Sequence, residues 1–228
     1  MANNQAPSLL PDKRAAIDAF RKKLAGQVAA VVPGQRARLI VTIDATQSRE
    51  HCWDMACQIQ AKMFQEVEKI GALDIQLVFY RGNEFEAFDW ISDARSLADR
   101  MAKIDCRSGF TQIEKVLHHA GRENARRKVQ ALVFIGDAME EQHDVLCAAA
   151  AMLGFPVFVF QEADDPIATR TFKQIAAVSK GAHCRFNAGA AQELAELLRA
   201  VARYAAGGLK ALSASQSAGA VKLLEQLK

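Results

Sequence analysis

Short apolar runs alternate along this chain with longer stretches of helical period, and that alternation limits its fold more than any other feature. Residues 38–43 are the sharpest case. They are apolar on both faces, as a strand must be when helices cover a sheet from either side. The alternation continues with strands expected over 74–80, 129–135, 155–160 and 182–186. Helices are expected over 48–71, 92–104, 111–127, 140–153, 166–180 and 190–206. Arg81-Gly82-Asn83-Glu84 is a turn short enough for a hairpin, so a strand over 85–91 should run antiparallel to its neighbour. Strand–helix alternation gives a parallel sheet covered on both faces, and right-handed crossovers set its order. The expected fold class is a doubly wound α/β domain with helices on both faces. Its sheet is mostly parallel and six-stranded, in the order 3-2-1-4-5-6, with strand 3 antiparallel.

This pattern fills residues 36–206 and leaves two ends. Residues 1–35 read as an N-terminal extension. Ala15, Ile17, Phe20, Leu24, Val28 and Val31 form the stripe of an amphipathic helix over 11–31, which Pro33-Gly34 stops. Residues 207–228 read as a flexible linker of Gly, Ala and Ser up to 219, followed by a short C-terminal helix over 221–227.

Composition excludes several partners. A net charge of +3 on 228 residues, with Lys and Arg scattered, offers no stripe for nucleic acid. The cations Arg122, Arg126, Arg127 and Lys128 close a predicted helix, where the dipole favours them. No stretch approaches the about 18 apolar residues that span a bilayer. Charges such as Asp12, Lys13, Arg14 and Asp18 break up the start of the chain, which therefore lacks a secretory pattern. The five cysteines, Cys52, Cys57, Cys106, Cys147 and Cys184, include no CxxC pair and read as reduced thiols. A cytoplasmic location is expected.

Three polar clusters punctuate the pattern. Asp44-Ala45-Thr46-Gln47-Ser48 follows strand 1, Ser108-Gly109-Phe110-Thr111 opens a helix, and Asp137 follows strand 4 in Gly136-Asp137-Ala138. Strands 1 and 4 are central neighbours whose connections leave on opposite faces, so a crevice opens between their ends. Taken singly, each cluster has a structural use. Thr111-Gln112-Ile113-Glu114 and Asp137-Ala138-Met139-Glu140 have the form of capping boxes, and Asp44, Thr46 or Ser48 could cap the next helix. Taken together they supply only oxygen, a donor set that suits Mg2+, with Mn2+ or Ca2+ possible, and not zinc.

Asp44-x-Thr46-x-Ser48, then Thr111, then Asp137 resembles the metal-ion-dependent adhesion site of a von Willebrand factor type A domain. The resemblance covers residues 36–206. Thr46 stands where the family usually has Ser and retains the hydroxyl. Gly136-Asp137-Ala138 stands where it usually has Thr-Asp-Gly and retains the Asp. The resemblance implies that Thr46 and Ser48 bind the metal directly, and that Asp44 and Asp137 hold it directly or through water. Thr111 would be a mobile ligand. An Asp or Glu of another protein would take the free position, with Arg49, His51 and Arg107 at the rim. On this reading the chain is a non-catalytic interaction module.

Two alternatives stay open: a Mg2+-dependent phosphoryl-transfer or hydrolytic enzyme, and a structural scaffold with an unused metal site. Dehalogenase-like phosphoryl transferases need an acid/base Asp two residues after the first, where this chain has Thr46. Residues 44–52 contain no glycine for a dinucleotide fingerprint, and no G-K-[ST] forms a P-loop.

Overall fold

β1 (Ala37–Asp44) is buried along its whole length. Leu39, Val41 and Ile43 enter one apolar cluster and Ile40 the other, so alternate side chains of one strand feed the two sides of the sheet. The computed structural model describes residues 36–49, 73–186 and 191–227. The helix expected over 11–31, nearly all of that over 48–71, and His51 lie outside them.

The sheet is six-stranded, in the order β3-β2-β1-β4-β5-β6. β2 (Leu73–Arg81), β4 (Ala131–Gly136), β5 (Val157–Glu162) and β6 (Ala182–Phe186) pair in parallel, β2 and β4 against β1 and β5 and β6 beyond β4. β3 (Glu84–Ala87) is antiparallel to β2 through a hairpin in which Gly82 takes a left-handed φ of 52°. Order and direction are those expected. β3 is shorter than the strand expected over 85–91: Ile91 regains β2 only as an isolated bridge to Ile75. Between them the Trp90 indole leaves the ladder and donates to Glu123 Oε2 at 2.8 Å. Glu123 also holds Arg38 at 2.5 Å, and the Arg38 guanidinium lies 3.6 Å over the Trp90 ring.

On one face lie α2 (Ile113–Arg126), α3 (His143–Ala151) and α4 (Pro166–Val178), which contribute Val116, Leu146 and Phe172 to the core. On the other lie α1 (Ala94–Met101), α5 (Ala191–Ser213) and α6 (Ala218–Leu224), which contribute Leu97, Leu198 and Leu223. α4 starts where its pattern says it should. Asp165 caps the amides of Ile167 and Ala168, and Pro166 fills the first turn.

The C-terminal segment departs from the expected linker. α5 runs through it to Ser213, with a kink at Gly208, and α6 begins just beyond, capped by Ser217. Leu212, Ala220 and Leu223 are fully buried. The small residues that read as flexibility permit close approach instead: a Cβ at Gly219 would meet the Glu196 carbonyl oxygen at 2.5 Å. Past α6, Gln226 docks on β6. Its amide accepts from His183 N and donates to His183 O, both at 2.8 Å.

Candidate metal centre

Asp44 ends β1 with its side chain fully buried. Oδ1 accepts the Thr46 amide at 2.8 Å, which turns the chain out of the strand. Oδ2 accepts the Tyr80 hydroxyl at 3.0 Å, from the β2 residue paired with Asp44 in the sheet. The turn leads into a short 3-10 segment, Gln47–Arg49, and brings the Thr46 and Ser48 hydroxyls to 3.1 Å from each other. Arg107 bridges back to this loop, its amide donating to Ala45 O at 3.1 Å, and the Ser108 hydroxyl donates to Gln47. The segments after β1 and before α2 therefore lie side by side.

Asp137 follows β4. A Cβ at Gly136 would lie 3.6 Å from Asp44 Cβ and under 3 Å from the Phe134 ring, so glycine is what fits between the two strand ends. The capping box whose form Asp137-x-x-Glu140 has does not form. α3 begins at His143 with Gln142 at its N-cap, leaving 137–142 as a loop. Asp137 Oδ1 is buried and has no hydrogen-bond partner among the described residues.

Thr111 also does not make the capping box whose form its sequence has. The N-cap of α2 is Gln112, whose side chain makes no capping bond. The exposed amides are met from across the site. Glu141 Oε1 accepts from Ile113 N and, at 3.3 Å, from Glu114 N. Glu140 Oε2 accepts from Thr111 N at 2.8 Å and from Thr111 Oγ1 at 2.5 Å. Two carboxylates thus sit at the positive end of a helix, satisfying donors its own turn leaves open.

Tyr80, Glu140 and Glu141 are site neighbours that the sequence reading missed. The signal for Tyr80 was its place near the end of strand 2, opposite Asp44. Glu140 was read as a local cap. Arg107 makes ion pairs with Glu84 at 2.8 Å and Asp105 at 3.1 Å, on the exposed surface where such pairs contribute little. A cavity of about 300 Å³ opens beside Thr111, lined in part by Gly82, Asn83, Phe110 and Lys115. Phe110 is 73% exposed there.

No group of three or more His, Cys, Asp or Glu side chains among the described residues could hold a metal ion. A cation at this edge would depend on the hydroxyls as well as the two aspartates. That donor set fits a hard ion. No helix among the described residues is long and apolar enough to cross a membrane.

No protein-family model matches the chain, and no curated protein matches it. Solved structures do. A von Willebrand factor type A protein from Catenulispora acidiphila aligns at TM-score 0.55 and 14% identity, over 74% of this chain and 42% of that longer one. The SpRpn10 VWA domain aligns at TM-score 0.57 and 9% identity, over 76% of this chain and 97% of that domain. This is the von Willebrand factor type A fold. The pilus adhesin SpaC from Lactobacillus rhamnosus GG, in its open conformation, aligns at TM-score 0.60 and 8% identity, over 76% of this chain and 30% of the adhesin. In this type A fold the three polar loops occupy the edge where β1 and β4 end.

Proposed function

We propose that this type A domain is a non-catalytic, Mg2+-dependent protein-binding module, closed by an Asp or Glu of its partner. The observation that carries this is the unpartnered, buried Asp137 Oδ1 at the end of β4, next to the end of β1 where Asp44 is buried. An unsatisfied buried acceptor costs about 1–3 kcal/mol, more when charged, and a cation is the natural way to offset that cost. The Thr46 amide and Tyr80 hydroxyl hold Asp44 in one orientation. Thr46 and Ser48, 3.1 Å apart, set two neutral oxygens where one ion could meet both. Bound Mg2+ would supply a coordination position for an outside carboxylate, because an octahedral ion takes more oxygens than these side chains offer. The Arg107 backbone sits beside the same loop, and its guanidinium, paired with Glu84 and Asp105, would turn from them to flank that carboxylate.

A binding role agrees with the likeness to a pilus adhesin. Thr46 argues against the phosphoryl-transfer alternative: it stands where a second acid/base carboxylate would be needed, and its hydroxyl is paired with Ser48.

Thermal unfolding in Mg2+, in Mn2+ and in chelator tests the proposal, for the native chain and Asp137→Ala. The native chain should gain about 2.7 kcal/mol at metal a hundredfold above Kd, and the variant nothing. A native melting point indifferent to millimolar metal would remove the proposal. A pull-down with and without chelator then identifies the acidic partner.

A further inference from the structure

Thr111 differs from the other candidate ligands in where its hydroxyl is engaged. Three groups crowd Oγ1. It donates to Glu140 Oε2 at 2.5 Å, it accepts from Glu140 N at 3.0 Å, and Glu141 Oε2 packs against it as well. A threonine hydroxyl has one hydrogen and two lone pairs. Glu140 takes the hydrogen and one lone pair, and Glu141 Oε2 stands over what is left, so a cation reaches Oγ1 only by displacing one of them.

The same two carboxylates are tied down elsewhere. Glu140 Oε2 also takes the Thr111 amide, and Glu141 Oε1 takes the Ile113 and Glu114 amides. Their lone pairs therefore point at the start of α2. Asp137, a few residues earlier on the same loop, keeps an oxygen without a partner. One loop thus offers an open aspartate oxygen at its start and closes off Thr111 at its end.

We infer that Glu140 and Glu141 form an intramolecular clasp that withholds Thr111 from the metal and keeps the site in a low-affinity state until cation and partner carboxylate open it. The inference rests on the proposed metal site. The clasp is built from the same chemical group that the partner would bring, so the domain's own carboxylates occupy Thr111 in the partner's absence. Opening also frees the first amides of α2, which couples occupancy of the site to the seating of that helix.

Mn2+ titration of the full chain, read by the electron paramagnetic resonance of the free ion, tests this. Four proteins are compared: the native chain, Glu140→Ala, Glu140→Ala/Glu141→Ala, and the double variant with Asp137→Ala added. Charge-assisted hydrogen bonds of this kind hold Thr111 back, so the double variant should bind Mn2+ roughly tenfold more tightly than the native chain. Glu140→Ala, at an exposed side chain, should move part of the way. The triple variant should lose the gain. A double variant that folds, by circular dichroism, but binds with unchanged or weaker affinity overturns the clasp and leaves the metal site standing. Weaker binding would mean that the two glutamates serve the ion directly. If the double variant does not fold, Glu140→Ala alone decides by the same sign. If neither the native chain nor any folded variant takes up Mn2+, the metal site itself is absent.

Discussion

The Tyr80 hydroxyl donates to Asp44 Oδ2 across 3.0 Å, from the position directly opposite on the neighbouring strand. Register delivers this bond. Asp44 and Tyr80 are the last full pair of the β1–β2 ladder before the loops begin. One oxygen of this buried carboxylate is therefore oriented by the sheet itself, and the other by the Thr46 amide in the loop that follows.

Tyr80→Phe removes only that hydroxyl. Hydrogen bonds to charged groups contribute about 1.5–3 kcal/mol, so the variant should unfold at lower urea with an unchanged slope. It should also bind Mn2+ more weakly than the native chain, since Asp44 loses a restraint. An unaltered urea midpoint would show that the bond contributes nothing.

His183 is set to give the domain an acid-sensitive window. Burial, with Lys173 and Arg185 nearby, lowers its pKa from 6.5 to about 4. The folded state thus favours the neutral ring, which bonds Gln161 Oε1 at 2.8 Å. Because the folded pKa lies below the unfolded one, the contribution is complete above pH 6.5 and is lost as pH falls toward 4. It amounts to something on the order of 3 kcal/mol. Unfolding free energies measured from pH 7 to pH 4 should fall more steeply for the native chain than for His183→Gln. Parallel profiles would contradict this.

Glu123 joins Arg38, Trp90 and Arg126 at the opposite end of the sheet. Burial raises its pKa, but the hydrogen bonds from Trp90 and Arg38 outweigh that, and the value stands below its ordinary 4.5. Its contribution is present above pH 4.5 and is lost as acid protonates it. Removing one member of a buried pair costs about 3–5 kcal/mol. Glu123→Ala should be strongly destabilised at pH 7, and its deficit against the native chain should shrink in acid. A deficit that stays constant with pH would point to lost packing alone.

Gly219→Ala discriminates between docking and flexibility at the C-terminal end. In an unpacked helix the change stabilises by about 0.5–1 kcal/mol. Here the new Cβ would meet Glu196 O at 2.5 Å, so a loss of about 1–3 kcal/mol is expected, read as a lower melting temperature. A gain would mean that α6 is not held against α5.

Strand order was legible because it follows from rules that act locally. Residues 38–43 lack alternation because both faces are covered, and Arg81-Gly82-Asn83-Glu84 carries its hairpin in four residues. Helices over 190–206 and 221–227 were legible, but the helix that fills the stretch between them was not, since Gly and Ala look alike whether they loosen a chain or let two helices touch. The clasp was hidden for a different reason. Thr111-x-x-Glu114 and Asp137-x-x-Glu140 each imitate a local cap, whereas the bonds formed join residues 29 positions apart in the Thr111–Glu140 contact. Local pattern cannot report a cap supplied from another loop. Trp90 shortened β3 by a similar long-range pull toward Glu123.

Gln226 clips onto His183 along the outer flank of the last strand. A bare flank of this kind is a template on which another molecule's strand can align, and repeated alignment builds fibrils. A single carboxamide, mimicking a peptide unit, denies that template its footing. The turn after α6 thus covers part of the β6 edge, and a chain cut back before Gln226 should self-associate along that edge more readily than the native one, as read by light scattering.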